Sequence, residues 1–367
     1  MVCYNPNYIW TRKYYPIEAN KDEKTLKKYN KPKFNPDKID TKVWHQMPVP
    51  CGHCEGCRID KANDWATRIT NEAEEWENRG IFVTLTYDND HLPVTKNGLP
   101  TLRPKDMVDY KKRLRKFADK YEKPFKEWIN PYNAKQERVI RTFECGEYGE
   151  KKGRPHYHQI IFNWEPSDLK FDRITEEGFA LYTSKTMRKI WGHGHVIIGR
   201  ISYESASYVA RYTLKKNGLA ATHREYYTSY EWEEEELRPK TKYRIVKGEV
   251  EPEFITMSIG IGRTYFEKNI DKIKKNKGII LKSKNGAKLK RVPRFYKKIW
   301  EAIDWVDYEK WKYEILKHHK EYEDKLLEKY NLPENWLREA KLGWITNQIK
   351  ENRKARAELL KQRRRAE

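Results

Sequence analysis

The amino-acid sequence predicts an α+β fold: an antiparallel sheet flanked by helices. Three observations lead there. Short runs rich in β-branched and aromatic residues, chief among them Ile81-Phe82-Val83-Thr84-Leu85-Thr86-Tyr87, have the composition of strands. Between such runs lie stretches whose apolar residues recur at three and four, the helical period. Two of the strand-like runs flank a polar, glycine-bearing turn, Gly146 to Gly153, which makes them an antiparallel hairpin.

Taken in order, residues 1 to about 50 are polar and rich in Lys, Asn and Pro. They read as an extended arm, closed by a cysteine cluster. Ile59, Ala62, Trp65, Ala66, Ile69, Ala73 and Trp76 then mark an amphipathic helix to about Asn78, with Gly80 as its C-cap. The strand Ile81–Tyr87 ends at Asp88-Asn89-Asp90. Met107, Tyr110, Leu114 and Phe117 share one face of a helix over 104–121. The hairpin strands are expected over Val139–Cys145 and Pro155–Trp164. A helix over Leu181–Ile190, a strand over His195–Ile201 and a helix over Ser205–Lys216 follow, the last capped by Asn217-Gly218. Phe254 to Phe266 reads as strand and turn, and the charged stretch from about 295 to the end as helical. The acidic run Glu233–Glu236 reads as a loop or a solvated helix face.

The chain has 367 residues, with 76 Lys and Arg against 54 Asp and Glu, a formal charge of +22. Such a surplus favours polyanions, with nucleic acid foremost. Twenty-five Tyr and 13 Trp among these cations suit stacking on unpaired bases. No apolar run approaches the ~20 residues that span a bilayer, so no membrane is expected as a partner. Met1-Val2-Cys3-Tyr4-Asn5-Pro6 lacks the basic-then-apolar pattern of a secretory leader. Five cysteines, an odd number with three clustered, fit a reduced cytosolic compartment better than a disulfide framework.

The sharpest motif is Arg154-Pro155-His156-Tyr157-His158-Gln159-Ile160-Ile161-Phe162. Strand side chains alternate, so His156 and His158 share a face about 7 Å apart along the chain, and Tyr157 points the other way. Two imidazoles can converge on one divalent ion. Glu144, across the hairpin, can bring an oxygen to it; Glu147 takes that place if the pairing register differs. Two His and one carboxylate leave open positions and suit Mg²⁺ or Mn²⁺ acting as a Lewis acid. His193-Gly194-His195 has the same spacing but precedes a strand, and reads as a turn able to touch DNA.

Tyr208 and Tyr212 stand at i and i+4, on one helix face and roughly 6 Å apart along the axis. A phenol oxygen can attack a phosphodiester that a metal polarises. Lys215 can share the face of Tyr212 and neutralise developing charge, and Arg211 stands in the same relation to Tyr208. Arg154, Arg211 and Lys216 are candidate DNA contacts. Cys51-x-x-Cys54-x-x-Cys57, with Cys3 from the arm, can form a four-thiolate structural zinc site; His53 is the substitute ligand. Arg353-Lys354, Arg356 and Lys361 to Arg365 make a basic tail suited to phosphate contacts.

His156-Tyr157-His158 followed by the Tyr208/Tyr212 helix resembles the HUH superfamily of rolling-circle replication initiators. The likeness is closest to the initiators of the Microviridae, single-stranded DNA phages, of the gokushovirus type. Pro50 to Arg58, Thr84-Leu85-Thr86-Tyr87, Cys145-Gly146-Glu147-Tyr148-Gly149 and Ala206 to Tyr212 also carry it. Ile259-Gly260-Ile261-Gly262-Arg263 and Val292-Pro293-Arg294-Phe295-Tyr296 continue it more faintly. The resemblance implies an HUH endonuclease-like fold and strand-specific nicking of origin DNA. It implies a 5′-phosphotyrosine bond, a 3′-OH extended by host polymerase, and religation, all in the bacterial cytoplasm of the host. It maps the metal ligands onto His156 and His158 and the nucleophiles onto Tyr208 and Tyr212.

The expected organisation is an N-terminal arm with the Cys cluster over 1–58 and the endonuclease domain over 59–220. A DNA-binding extension over 221–300 and a basic helical tail over 301–367 complete it. Nothing matches a Gly-x-x-x-x-Gly-Lys-Ser/Thr loop, so unwinding falls to a separate host helicase. Two alternatives stay open: a non-catalytic, basic single-stranded DNA-binding or packaging protein, and an HUH transposase or relaxase.

Overall fold

The computed structural model describes residues 7–12, 44–52, 55–149, 153–211, 222–233, 236–247, 250–283 and 286–333, with 341, 345, 348 and 351. They fall into two compact units, one within Met1–Lys13 and Asp37–Tyr296, the other within Tyr14–Pro36 and Lys297–Glu367.

The first unit is α+β, as predicted. Its centre is a seven-stranded antiparallel sheet. The strands are β3 (Gly80–Tyr87), β6 (Arg141–Tyr148), β7 (Pro155–Phe162), β8 (Lys170–Ile174), β9 (Ala180–Thr183), β10 (Gly194–Arg200) and β13 (Phe254–Met257). Their order across the sheet is β13-β6-β7-β3-β10-β9-β8. Helices α1 (Glu55–Glu75), α2 (Pro104–Lys120), α3 (Lys185–Trp191) and α4 (Tyr203–Arg211) cover its two faces.

Alternation along the strands sorts the core into two layers. Ile81, Val83, Leu85, Tyr87, Tyr157 and Ile161 point to one face. There they pack with Met107, Tyr110 and Leu114 of α2 and with Met187, Ile190 and Trp191 of α3. Phe143, Cys145, Ile160 and Phe162 point to the other, against Ile69, Ala73 and Trp76 of α1 and Ala206 and Val209 of α4. Each large apolar side chain so buried contributes ~1.5–3 kcal/mol. Ala62, Ala66 and Ala210 pack together where α1 and α4 meet, and their small side chains permit a close approach.

Several expectations shift. The α1 helix ends not at Gly80 but at Glu77 and Asn78, both left-handed (φ 55° and 57°). Gly80 instead opens β3, where a Cβ would lie 2.3 Å from the Ile161 carbonyl oxygen. The start of the helix predicted over Leu181–Ile190 is strand β9, because it pairs with β10. The helix begins after Ser184, whose hydroxyl accepts from the Met187 amide, and ends at left-handed Gly192. Helix α4 begins at Tyr203, and Ser202 and Ser205 cap its start by exchanging amide-to-hydroxyl bonds.

The stretch 254–266 is β13 followed by a turn and the start of α5 (Arg263–Asn276). Strand β13 pairs with β6 and so adds the edge of the sheet. Smaller antiparallel pairs join β1 (Asn7–Arg12) to β2 (Trp44–Val49), and β4 (Trp128–Ile129) to β5 (Gln136–Glu137). The others join β11 (Thr222–Glu233) to β12 (Glu236–Lys247), and β14 (Ile279–Ser283) to β15 (Gly286–Lys290). The acidic run thus straddles the turn of the β11–β12 ribbon rather than a helix face. The first pair lies in the predicted arm. Helix α6 (Arg294–Ile303) continues into the second unit, which holds α7 (Trp305–Tyr330), capped by the Asp304 carboxylate accepting from the Asp307 amide. The Arg/Lys cluster from 353 onward lies outside the described residues. Among the described residues no helix is long and apolar enough to cross a membrane.

A buried clamp ties β13 to the sheet. Glu72 of α1 accepts from Arg141 Nε at 2.6 Å, from Trp76 Nε1 at 3.0 Å and from the Gly262 amide at 2.6 Å. Arg141 also donates to the Ile259 carbonyl, and Arg68 to the Ile261 carbonyl. Burial pulls the Arg68 guanidinium down to about 10. The Ile259-Gly260-Ile261-Gly262 run is therefore a turn held by two arginines. Gly262 has φ 78°, and a Cβ there would stand 2.2 Å from Tyr296 Oη.

Candidate metal centre and nucleophile

Strand alternation places His156 and His158 on the face covered by α1 and α4, and Tyr157 on the opposite face. The β6–β7 register then selects the carboxylate. Directly paired residues share a face. Glu147 pairs with His156 and Cys145 with His158, whereas Glu144 pairs with Gln159 and falls on the far side.

Glu147 Oε1 lies 2.7 Å from His156 Nε2 and 2.8 Å from His158 Nε2. The imidazoles stand perpendicular, 4.9 Å between centroids. Glu147 and His158 are each 4% exposed, and His156 is half-buried. Among the described residues, these three make the one group of His, Cys, Asp or Glu whose ligand atoms converge, all within 4.8 Å of one another.

Glu144, the acid read first from the sequence, goes elsewhere. Fully buried, it is bonded to Lys111, Thr256 and Gln159. The sequence reading ended this strand at Cys145. The strand runs on to Tyr148, which carries the facing acid three residues further along.

The donor set fits a divalent cation. His156 Nδ1 lies 3.1 Å from the Arg154 carbonyl oxygen, which can only accept. Donation there leaves the Nε2 lone pair aimed at a carboxylate oxygen, an arrangement that needs a positive charge between them. His158 Nδ1 is held by Thr84 Oγ1 at 3.0 Å, and the His158 ring stacks on Phe82 at 5.6 Å. Outer contacts of this kind set the tautomer and orientation of ligating histidines. Burial by itself would raise the Glu147 carboxyl, but hydrogen bonds and charge from His156 and His158 outweigh it and hold it at about 2. Burial keeps the His158 ring below its ordinary value, against the pull of Glu147.

Helix α4 brings in Tyr208. Ala206 and Val209 bury its inner side, and Tyr208, 39% exposed, leans over the histidines. Its hydroxyl lies 3.4 Å from His158 Nε2, and the two rings meet edge-on at 5.0 Å. Tyr212, Lys215 and Lys216 lie outside the described residues, as does the side chain of Arg211. Arg154 donates to the Tyr87 carbonyl at 2.8 Å, beside the site. His193 packs against the rings of Trp191, Tyr87 and His91. His195 is exposed on the face of the metal centre.

The cysteine cluster is described in part. Cys51 Sγ and Cys57 Sγ are 4.0 Å apart, close to the roughly 3.8 Å spacing of two thiolates on one tetrahedral zinc. Cys3, Cys54 and His53 lie outside the described residues. The sequence reading missed Thr84 and Phe82 as supports of His158. Their one signal was alternation on β3, which puts both on the side of His158.

The fold and this constellation describe a phosphodiester-handling protein in outline, and its relatives agree. The family described as replication-associated protein ORF2 matches residues 80–217. The chain is 31% identical over 270 residues to the replication-associated protein ORF2 of Spiroplasma virus 4, covering 72% of this chain and 73% of that one. It is 37% identical over 168 residues to the replication-associated protein VP4 of Bdellovibrio phage phiMH2K, 46% of this chain and 48% of that one. It is 32% identical over 187 residues to the replication-associated protein ORF4 of Chlamydia phage 1, 48% and 42%. No solved structure matches the chain. This chain belongs to the family of phage replication-associated proteins.

Proposed function

We propose that this protein is a rolling-circle replication initiator: a metal-dependent, site-specific single-strand DNA nickase and ligase of the HUH type. The observation that carries the reading is the convergence of Glu147, His156 and His158, with the Tyr208 hydroxyl 3.4 Å from His158 Nε2. A non-catalytic DNA-binding protein has no use for a buried acid shared by two imidazoles beneath an accessible phenol.

Glu147, His156 and His158 hold Mg²⁺ or Mn²⁺, which polarises the scissile phosphate and stabilises the leaving 3′ oxygen. Tyr208 Oη bonds to phosphorus as the bond from phosphorus to the 3′ oxygen breaks. A 3′-OH is freed and the 5′ end stays on the tyrosine. Tyr212 serves the second cut after a round of synthesis, with Lys215 neutralising charge beside it. Arg154, Arg211 and Lys216 contact the strand. Cys51, Cys54 and Cys57, with Cys3 or His53, hold a structural zinc that pins the arm to α1.

The domain roles follow: arm over 1–58, endonuclease over 59–220, DNA-binding extension over 221–300 and basic tail over 301–367. The partners are single-stranded origin DNA and a host helicase and DNA polymerase, in the bacterial cytoplasm.

The test is a denaturing gel with a labelled origin oligonucleotide. A slowed, protease-sensitive band should appear with Mn²⁺, vanish with EDTA and be absent in the Tyr208→Phe/Tyr212→Phe double variant. Tight binding with neither cleavage nor adduct would refute the nickase reading.

A further inference from the structure

A cavity of about 550 Å³ opens at the ends of β3, β7 and β10, beside the proposed metal centre. Thr86, Asp88, Asn89, Asp90, Arg154 and His195 line it. Its position follows from register. His195 pairs with Thr86, Thr86 with His156, and His156 with Glu147, so His195, Thr86 and the centre form one cross-strand row on one face. Adjacent strands lie about 4.8 Å apart, which puts His195 roughly 10 Å from His156. A strand whose phosphate sits at the histidines therefore has a neighbouring nucleotide at this cavity.

The lining chemistry suits a base better than a phosphate. Asp88 is engaged by His91, through its ring nitrogen at 2.7 Å and its amide at 2.9 Å. Asn89 and Asp90 are the exposed groups of the loop, and two carboxylates at its rim repel a phosphate. A carboxylate accepts from an exocyclic amino group, and an asparagine amide both donates to and accepts from an adenine edge. Arg154, fixed on the Tyr87 carbonyl, and exposed His195 form the cationic wall that faces the sugar–phosphate chain.

We propose that this cavity reads the base of one nucleotide flanking the scissile phosphate, selecting adenine or cytosine over thymine. The proposal rests on the nickase reading for its place in the reaction, but base selection is measurable without cleavage.

The probe is a pool of end-labelled single-stranded oligonucleotides from the candidate origin, randomised at one position at a time. The full-length protein selects from it in EDTA, and then forms adducts in Mn²⁺. Wild type should prefer an amino-bearing base at one position by roughly 5- to 150-fold, the worth of one good side-chain-to-base pair. Asn89→Ala, Asp90→Asn and His195→Ala are exposed changes whose melting temperatures check the fold. The first two should flatten the preference at that position and keep it elsewhere. His195→Ala should weaken all sequences alike and keep the preference.

No preference at any position in wild type overturns the proposal. So does a preference that survives both loop variants, or uniform weakening by those two. Selection in EDTA without adducts in Mn²⁺ would sink the nickase reading and leave the base pocket standing.

Discussion

Exchanging each of two glutamates for glutamine separates the metal centre from the scaffold. Glu147→Gln and Glu144→Gln differ by three positions on one strand and should fail in opposite ways. Among the described residues, Glu147 supplies the carboxylate at the His pair. Outer-shell partners cost about 10–100-fold in metal affinity when removed, so losing a ligand itself should cost at least about 100-fold. At a Mn²⁺ concentration of about 100 times the wild-type Kd, binding stabilises the wild type by ~2.7 kcal/mol. A variant weakened about 100-fold then gains only ~0.4 kcal/mol.

Glu144 is fully buried beside Lys111, which is itself largely buried. Removing one member of a buried pair costs about 3–5 kcal/mol, and an isosteric amide that can still bond to Thr256 belongs at the lower end. At about 2–4 °C per kcal/mol for a unit of this size, Glu144→Gln should melt ~6–12 °C early. Its gain from Mn²⁺ should match that of the wild type. The assay is thermal unfolding with Mn²⁺ or EDTA, beside a direct Mn²⁺ titration. Lost Mn²⁺ binding in Glu144→Gln with retained binding in Glu147→Gln would refute the β6–β7 register and the site built on it.

Four further outcomes follow. Thr84→Val removes the hydroxyl that holds His158 Nδ1 and keeps a β-branched residue in β3; Mn²⁺ titration should read a loss of about 10–100-fold in affinity. Gly262→Ala forces a side chain onto a left-handed residue 2.2 Å from Tyr296 Oη; it should cost several kcal/mol by urea unfolding, about 1–3 of them from the backbone alone. Arg141→Met leaves the Glu72 carboxylate buried without its partner and should cost about 3–5 kcal/mol, read as an earlier melting temperature. In EDTA, Glu147 sits at about 2 instead of 4.5; a depressed carboxyl stabilises above its unfolded value, so up to ~3 kcal/mol should be lost as pH falls from about 4.5 towards 2. Urea midpoints across that window should fall in wild type and stay flatter in Glu147→Gln.

The sequence by itself determined the fold class, both histidines and the helix that carries Tyr208. All are local signals: alternation fixes which strand residues share a face, and the three-four period fixes which helix residues do. Tyr157 facing away from His156 and His158 needed nothing more. What spacing could not decide was how separate segments meet. The acid at the His pair depends on pairing register, and a change of one residue sends a side chain to the other face. Glu144 and Glu147, three apart, therefore fall on opposite faces, and only the pairing of Glu147 with His156 says which serves. Leu181 to Thr183 carried an apolar pattern open to helix or strand until β10 supplied a partner. Thr84 and Phe82 gained their places against His158 from a strand 74 residues away in sequence. The Ile259-Gly260-Ile261-Gly262 turn depends on Arg68, Glu72 and Arg141, brought in from two distant elements. Periodicity is written residue by residue in the chain, whereas register and burial exist only once its parts have packed together.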